Sequence, residues 1–313
     1  MTTDTTPLDA SPDADTDLVT WGRRAWSALE ALHVPPYFSA ATREACTGLG
    51  LHPQLSYFAL RSAAMGPVPA EVVEATFYVF APRAVRQAVP ACWEVASPEQ
   101  VLVARYDAAE RTLHEVLDDV VEQQGVDLDE LAGLARRACE GLSAPGRPLY
   151  AGHASLPWPQ SPLMQLWHAA TLLREHRGDG HVAALVTAGL DPIEAMLTYG
   201  LTDGPVSLRF LRRSRGWTDA EWLEAAERLR DHGLVAEAPP GPDGEPGGVQ
   251  GSGLALTPAG ASLREELEAS TDLAALSGWK HLGEHDTRRL ASAARPLAAA
   301  VVASGALGPS RAR

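Results

Sequence analysis

The sequence has few cysteines and no long apolar run, and each shortage excludes a class of protein. Its 313 residues include three cysteines, which lie far apart and outside any paired motif. This sparse, odd number indicates buried thiols in a reducing compartment and argues against a disulfide framework or a zinc site. The longest apolar runs, such as 296–303, are far shorter than the roughly 20 residues of a membrane span. With no secretory signal pattern at the N-terminus, we expect a cytoplasmic protein without a membrane segment.

Basic residues are also scarce. Lys and Arg number 26 against 40 Asp and Glu, which gives a formal net charge of −14, and Lys280 is the single lysine. Because nucleic-acid affinity is carried mostly by Lys and Arg that neutralise phosphates, this balance argues against a large phosphate-binding surface. The apolar fraction of 45% is that of an ordinary globular protein. A chain of this length can form about two domains with sizeable cores.

The apolar periodicity predicts a mainly α protein. Residues 1–17 are polar and acidic, and we expect them to form a disordered tail. Helical patterns fill 18–142, which is predicted to be an all-α domain, and a Pro/Gly-rich connection follows at 143–161. Residues 162–313 are predicted to form a second helical domain with one small β-hairpin.

Helix-end signals and a turn-rich loop delimit the predicted elements after residue 215. Thr218-Asp-Ala-Glu221 has the form of a capping box, and Gly233 supplies the left-handed position at the helix end. A Gly- and Pro-rich loop at 239–253, expected to be a mobile wing tip, precedes Leu254-Ala-Leu-Thr-Pro-Ala-Gly260. The stretch resembles the recognition helix, wing and following helix of MarR-type regulators, in which Leu-Thr-x-x-Gly closes the second wing strand. This resemblance covers about 205–272 and implies a winged helix-turn-helix in that part of the second domain.

Four arginines before the predicted recognition helix form the candidate DNA-binding set: Arg209, Arg212, Arg213 and Arg215. They could neutralise DNA phosphates. Acidic residues, however, crowd the start of the recognition helix, where base edges and phosphates are normally contacted. Between 205 and 237 six Arg are matched by six Asp and Glu, so the module is locally neutral. Two interpretations of the winged helix stay open: DNA binding, or packing and dimerisation.

The whole chain also resembles an actinobacterial family of helix-turn-helix-like proteins of similar length. The stretches that carry this similarity are 57–66, 75–82 and 171–181. The preference for Arg over Lys, with abundant Ala, Gly and Pro, is typical of GC-rich actinobacterial genomes. The resemblance implies a single unit of two parts, and it specifies no substrate.

The densest group of chemically versatile side chains is Arg-Glu-His-Arg-Gly-Asp-Gly-His at 174–181. The two glycines, Gly178 and Gly180, are expected to end one helix (162–175) before another begins (181–188). A bend at this point would gather the charged side chains. The backbone N–H groups that open the second helix could then add an anion site.

Several chemical interpretations of this motif remain open. If the protein is an enzyme, His176 or His181 would act as general acid or base, with Asp179 beside them. The same three side chains could hold a divalent metal ion, but their spacing is loose and we assign no metal. Arg174 and Arg177 could instead clamp a carboxylate or phosphate. Alternatively the motif is structural, with Asp179 capping the second helix and the charges pairing between the two halves.

Residues elsewhere in the chain are candidates for lining the same pocket. The candidate ligand contacts include the two arginines of the motif. The full set is Tyr57, Arg61, His153, Trp158, Trp167, Arg174 and Arg177. Aromatic residues in helices more often pack in a core than contact a ligand.

Three functions are compatible with these patterns. The first is a small-molecule-responsive transcriptional regulator resembling the MarR type, which binds duplex DNA as a homodimer formed through terminal helices at 262–276 and 286–303. The second is an enzyme or carrier of specialised metabolism that reuses a winged helix, with residues 174–181 in a pocket for an acidic or aromatic small molecule. The third is a non-catalytic interaction protein. No cofactor-binding motif is recognisable, so the sequence leaves any cofactor unknown.

Overall fold

Helices form almost all of the regular structure in the computed structural model, which describes residues 12–52, 56–240 and 247–307, with side chains from Asp17 onward. The first nine α-helices are α1 (Pro12–His33), α2 (Ala40–Gly48), α3 (Ser56–Ser62), α4 (Ala70–Phe77), α5 (Pro82–Arg86), α6 (Cys92–Val95), α7 (Pro98–Gln124), α8 (Leu128–Glu140) and α9 (Pro148–Ala154). The others are α10 (Pro162–Thr187), α11 (Pro192–Gly200), α12 (Leu208–Ser214), α13 (Asp219–Asp231), α14 (Pro258–Ala274), α15 (Leu276–Leu282) and α16 (Glu284–Ser304). Strands β1 (Val235–Glu237) and β2 (Leu254–Leu256) form one antiparallel hairpin. The predicted mainly α class with a small hairpin is confirmed for these residues.

The helices begin where the sequence supplies caps. The Thr218 hydroxyl accepts a hydrogen bond from the Glu221 N–H at 3.3 Å, and the Glu221 carboxylate accepts one from the Thr218 N–H at 2.7 Å. This is the capping box that the sequence predicts at the start of α13. Ser97 and Asp191 cap α7 and α11 in the same reciprocal way. In both of those helices a proline follows at the first helical position, where its missing N–H has no partner to lose.

Three apolar cores hold the helices together. The central core contains Leu29 of α1, Leu117 of α7, Trp167 of α10 and Leu297 of α16, so it joins both ends of the chain. A second core lies among α3 to α7 and includes α9. The third core joins the end of α10 with α11 to α14 and the hairpin. The central core therefore cuts across the predicted division of the chain at 143–161, and helix α9 lies within that connection.

Helix α10 runs unbroken through the charged motif, so the predicted break at Gly178 and Gly180 is wrong. A glycine weakens a helix by only about 1 kcal/mol relative to alanine, and burial of most of α10 outweighs that penalty. Gly180 is needed for close packing: a Cβ there would lie 2.6 Å from Nη1 of Arg147 and 3.2 Å from Cβ of Ala274. Because no second helix begins here, the N-terminal anion site and the predicted Asp179 cap are absent from this described stretch.

Two helices, a hairpin and a following helix occupy 205–272, the range of the predicted winged helix. Helices α12 and α13 form the helix-turn-helix pair, and the hairpin pairs Val235 with Leu256. Trp222 and Leu229 of α13 are buried in the third core. Of the predicted mobile loop, 241–246 lies outside the described residues. Residues Val249–Gly251 form a 3₁₀ turn, and the side chain of Gln250 accepts a hydrogen bond from the backbone N–H of Arg209 at 3.1 Å.

Both ends of the described chain are helical. Residues 12–17 of the predicted tail belong to α1, and 1–11 lie outside the described residues. The predicted dimer helix at 286–303 lies within α16, which packs against α1 of the same chain. Within the described ranges no single helix is long and apolar enough to cross a membrane; α10 and α11 meet that test only as a pair bent by 105°.

Candidate functional site

Four arginines from different parts of the chain surround the first turns of the charged motif in the interior. We call Arg61, Arg105, Arg174 and Arg215, with the carboxylate of Glu175, the arginine cluster. The hydroxyl groups of two tyrosines lie close enough to these arginines to interact with their charges. Tyr57 lies in the field of Arg61, Arg174 and Arg215, and Tyr37 lies in the field of Arg105, Arg174 and Arg61.

Glu175 is the anionic centre of the cluster. Its side chain is 1% exposed, and its carboxylate accepts from Arg61 Nη2 at 2.8 Å and from Arg174 Nη1 at 2.7 Å. Burial alone would raise the pKa of this carboxyl, but Arg174 and Arg61 outweigh burial and hold the pKa well below its usual range. Arg174 also donates to Glu30 on α1 at 3.3 Å. Glu175 is therefore ionised and joins α3 to α10.

Arg105 and Arg215 have no carboxylate partner among the described residues. Arg105 is 3% exposed, donates to the Tyr37 hydroxyl at 3.1 Å and lies 4.8 Å from the ring centre of Trp167. The guanidinium carbon of Arg215 lies 4.6 Å from the ring centre of Phe80. The Nε atoms of both arginines are buried and have no hydrogen-bond partner. Arg215 is thus turned inward, away from the DNA-binding role predicted for it.

Two histidines at the edge of the cluster are neutral. The pKa values of His33 and His153 lie well below the usual range, first because both rings are buried and then because arginines of the cluster lie nearby. His33 Nδ1 lies 3.0 Å from the Thr171 hydroxyl, and His153 Nδ1 lies 3.4 Å from Arg105 Nη1. The Nε2 atoms of both rings are buried without a partner.

Most of the predicted ligand contacts meet in or beside this cluster. They are Tyr57, Arg61, His153, Trp167 and Arg174. Trp158 lies elsewhere, edge-on to His168 with ring centres 4.8 Å apart. Sequence reasoning missed Arg105 as a member. The available signal was its place on α7 in line with the buried residues Val101, Ala108 and Ala109, where a charged side chain requires partners.

The second half of the charged motif faces other helices. Arg177 pairs with Glu268 at 2.9 Å and Asp272 at 3.0 Å on α14, and its guanidinium lies 4.3 Å from the ring centre of Trp26. Each arginine of the predicted clamp therefore has its own carboxylates. Arg174 pairs with carboxylates on α1 and α10 and Arg177 with carboxylates on α14, so the two arginines do not converge on one anion.

Of the predicted catalytic side chains, His176 and Asp179 both contact Tyr150, whereas His181 faces α14. His176 packs edge-on to Tyr150, Asp179 accepts the Tyr150 N–H at 2.9 Å, and His181 Nδ1 lies 2.8 Å from the hydroxyl of Thr271. Burial lowers the pKa of each histidine to about 4 and raises that of Asp179 to about 6. Both imidazoles are neutral near pH 7. In the parts of the chain that the structure describes, no three His, Cys, Asp or Glu side chains come together as a metal site.

The outer surface of the winged helix carries the remaining candidates. Arg209, Arg212 and Arg213 are exposed on α12, and Arg212 pairs with Asp219 at 2.6 Å. Arg209 and Arg213 have no salt bridge with any described residue. On α13 the exposed side chains are mainly acidic or apolar, namely Asp219, Leu223, Glu224, Glu227 and Asp231 with Arg230. The cationic surface of the module therefore lies on α12.

A groove of about 450 Å³ separates α13 from the wing. Its wall includes Trp222, Leu223 and Leu254, and Arg212 and Arg230 are among its polar residues. The indole N–H of Trp222 is buried and has no hydrogen-bond partner. The groove adds an apolar strip beside the charged surface of α12.

Comparison with known families fits this architecture. The sequence model of a helix-turn-helix family matches residues 22–308, nearly the whole chain. The protein belongs to this helix-turn-helix family. No curated protein and no solved structure matches the chain. Membership spans the arginine cluster as well as the winged helix, so both are parts of one family unit.

Proposed function

We propose that this family member is a DNA-binding transcriptional regulator. The observation that carries the proposal is the helix-turn-helix family match over 22–308, together with a complete α12–α13 pair followed by a wing. A capped second helix and a hairpin of this kind support the resemblance to MarR-type regulators. In such modules the helix-turn-helix enters the major groove and flanking cations contact phosphates.

The charge distribution favours α12 over α13 as the helix that makes the electrostatic contact with DNA. Glu224 and Glu227 on the outer side of α13 repel the phosphate backbone, whereas Arg209 and Arg213 on α12 have no acidic partner in the described structure. Counterion release by these two arginines would supply the sequence-independent part of the affinity. We therefore assign the phosphate contact to α12 and expect modest, strongly salt-dependent binding.

The connection between the winged helix and the cluster supports a response to a small molecule. Arg215 follows α12 directly, and its carbonyl accepts a hydrogen bond from the Ala81 N–H at 2.9 Å. The Trp217 indole donates to the carbonyl of Val79 at 2.9 Å. A ligand that moved the Arg215 side chain would shift the turn between α12 and α13. We propose this turn as the route from ligand to DNA surface.

A homodimer is part of the same proposal, because winged-helix regulators read paired half-sites through two-fold symmetry. Helices α1 and α16 line a shallow groove of about 800 Å³ that includes Trp21, Ala298 and Val302. Val302 is 55% exposed. This apolar strip is our candidate for the contact between copies, and sedimentation velocity of the purified protein would test it.

The direct test compares DNA affinity between two charge-matched double variants. Arg209→Ala with Arg213→Ala removes two cations from α12, and Arg43→Ala with Arg111→Ala removes two exposed cations from α2 and α7. Fluorescence anisotropy with a labelled duplex from the region upstream of the gene should show binding about tenfold weaker for the first variant and little changed for the control. Equal losses in both variants, or no binding by the wild type at low salt, would contradict the proposal.

A second candidate function is favoured by the acidic surface of α13. The protein would then be an enzyme or carrier that uses the winged helix for packing and the arginine cluster for an acidic or aromatic small molecule. This alternative predicts ligand binding without any salt-sensitive DNA binding, so the same anisotropy experiment separates the two functions.

A further inference from the structure

We infer that the arginine cluster binds a small organic anion, with a carboxylate or phosphate group attached to a flat apolar body. The inference does not depend on DNA binding. It rests on the balance of buried charge, on unpartnered buried donors and on the aromatic side chains around them.

The charges of the cluster do not balance. Four guanidinium groups face two carboxylates, those of Glu175 and Glu30, and the surrounding histidines are neutral. Two positive charges are therefore in excess. An ionised group taken out of water without an opposite charge is strongly unfavourable. A bound carboxylate or phosphate would compensate this excess.

The excess lies at Arg105 and Arg215, since Glu175 and Glu30 already engage the other two arginines. Arg105 is almost completely buried, yet its Nε has no hydrogen-bond acceptor. The Nε2 of His153, on the ring that contacts Arg105, is likewise buried without a partner. Buried donors in native proteins nearly always have acceptors, so these atoms point to a ligand that supplies them.

The walls of the cluster favour a flat apolar body on the anion. The rings of Tyr37 and Tyr57 lie 5.5 Å apart, and those of Tyr57 and Phe80 lie 5.6 Å apart. Trp167 lies under the Arg105 guanidinium. These spacings are those of directly packed aromatic pairs, so a flat apolar body would contact the ring edges and outer faces on the partly exposed side of the cluster. Tyr57, Arg61 and Arg174 keep partial solvent exposure, which places the entrance on their side.

Thermal unfolding of the full chain with three probes tests the inference. The probes are benzoate, phenyl phosphate and inorganic phosphate, each compared with chloride at equal ionic strength. Both aromatic anions should raise the Tm saturably, by at least about 3 °C near a hundred times the Kd. Inorganic phosphate should act more weakly because it lacks the apolar body. If chloride and all three probes give the same Tm, the inference is wrong.

Variants on α7 make the test specific. Arg105→Met removes the unpaired guanidinium, should leave the protein folded and should abolish the shift caused by benzoate. Arg111→Met on the exposed side of α7 should keep the shift, and Arg215→Met serves as a second cluster variant. A benzoate shift that survived both Arg105→Met and Arg215→Met would overturn the assignment of the site.

An ionised tyrosine is the alternative to a ligand as the group that balances the excess positive charge, and the ultraviolet spectrum would detect it. The pKa of the buried Tyr57 hydroxyl is lowered because the arginines of the cluster outweigh the effect of burial. If an ionised Tyr57 balanced the charge instead, the ultraviolet spectrum at neutral pH would contain a tyrosinate band that disappears in Tyr57→Phe. That band, without any benzoate shift, would contradict the inference.

Discussion

The arginine cluster and the outer surface of the winged helix use the same side chain in opposite surroundings. Inside, Arg61 and Arg174 share the carboxylate of Glu175, whose side chain is only 1% exposed. Outside, Arg209 and Arg213 lie on α12 in solvent without an acidic partner in the described structure. A buried guanidinium fixes the geometry of its neighbours, whereas a solvated one is available for phosphate. The comparison teaches that arginine-rich sequence alone does not identify a nucleic-acid surface.

Removal of the Glu175 carboxylate tests whether the buried arginines of the cluster depend on it for stability. Glu175→Gln leaves Arg61 and Arg174 without their shared anion, so we expect the free energy of unfolding to fall by about 3–5 kcal/mol. Urea unfolding would measure the loss. The matched control is Glu115→Gln on the exposed side of α7, which should change stability by less than about 0.5 kcal/mol. Equal effects of the two substitutions would show that the cluster is well solvated.

Low pH should reduce the free energy of unfolding mainly through the buried histidines. Burial lowers the pKa of His168, His176 and His181 from 6.5 to about 4. Because these pKa values are depressed in the folded state, the unfolded chain binds more protons between these pH values, and stability falls as the pH drops from 6.5 to 4. Asp179, whose pKa is raised to about 6, acts in the opposite direction over part of this range.

One variant isolates a single histidine. His168→Gln should reduce the fall in unfolding free energy between pH 6.5 and 4 by about 3 kcal/mol. His114→Gln, at an exposed position on α7, is the control and should leave the pH dependence nearly unchanged. Urea unfolding at several pH values would measure both. An unaltered pH dependence in His168→Gln would mean that this ring is protonated in the folded protein.

Removal of acidic side chains from α13 tests the outer surface of the winged helix as the proposed DNA contact. Glu224→Gln with Glu227→Gln removes two charges that repel phosphate, and DNA affinity should rise by roughly three- to tenfold. The paired control Glu115→Gln with Glu122→Gln removes two exposed charges from α7. Anisotropy titrations of both variants would measure the difference. A gain confined to the control would place the DNA surface elsewhere.

Much of the fold was predictable from local signals. Prolines and caps at helix starts, such as Ser97 and Thr218, act within a few residues and are visible in sequence. The winged helix was expected from the resemblance to MarR-type regulators, and the cap at Thr218 marks the start of its second helix. The continuous α10 did not, because the packing of Gly180 against Arg147 and Ala274 depends on residues distant in sequence.

The candidate site was only partly predictable for the same reason. Arg174 was singled out by its charged neighbours, but its partners, Glu175 and Glu30, depend on helix direction and on packing against α1. Arg215 was grouped with Arg212 by proximity in sequence, although its side chain turns to Phe80. Helical geometry separates neighbours, and tertiary packing joins residues that sequence spacing keeps apart.

The salt dependence of DNA binding tests the central claim, that the solvated arginines of α12 form the phosphate contact. The measurement is the slope of log K against log salt concentration for the wild type and for Arg209→Ala with Arg213→Ala. The account predicts a linear fall for the wild type and a slope shallower by about two in the variant for each copy bound, hence by nearly four for the proposed homodimer, since each lost phosphate contact removes about 0.9. Identical slopes, or wild-type binding that does not respond to salt, would contradict it.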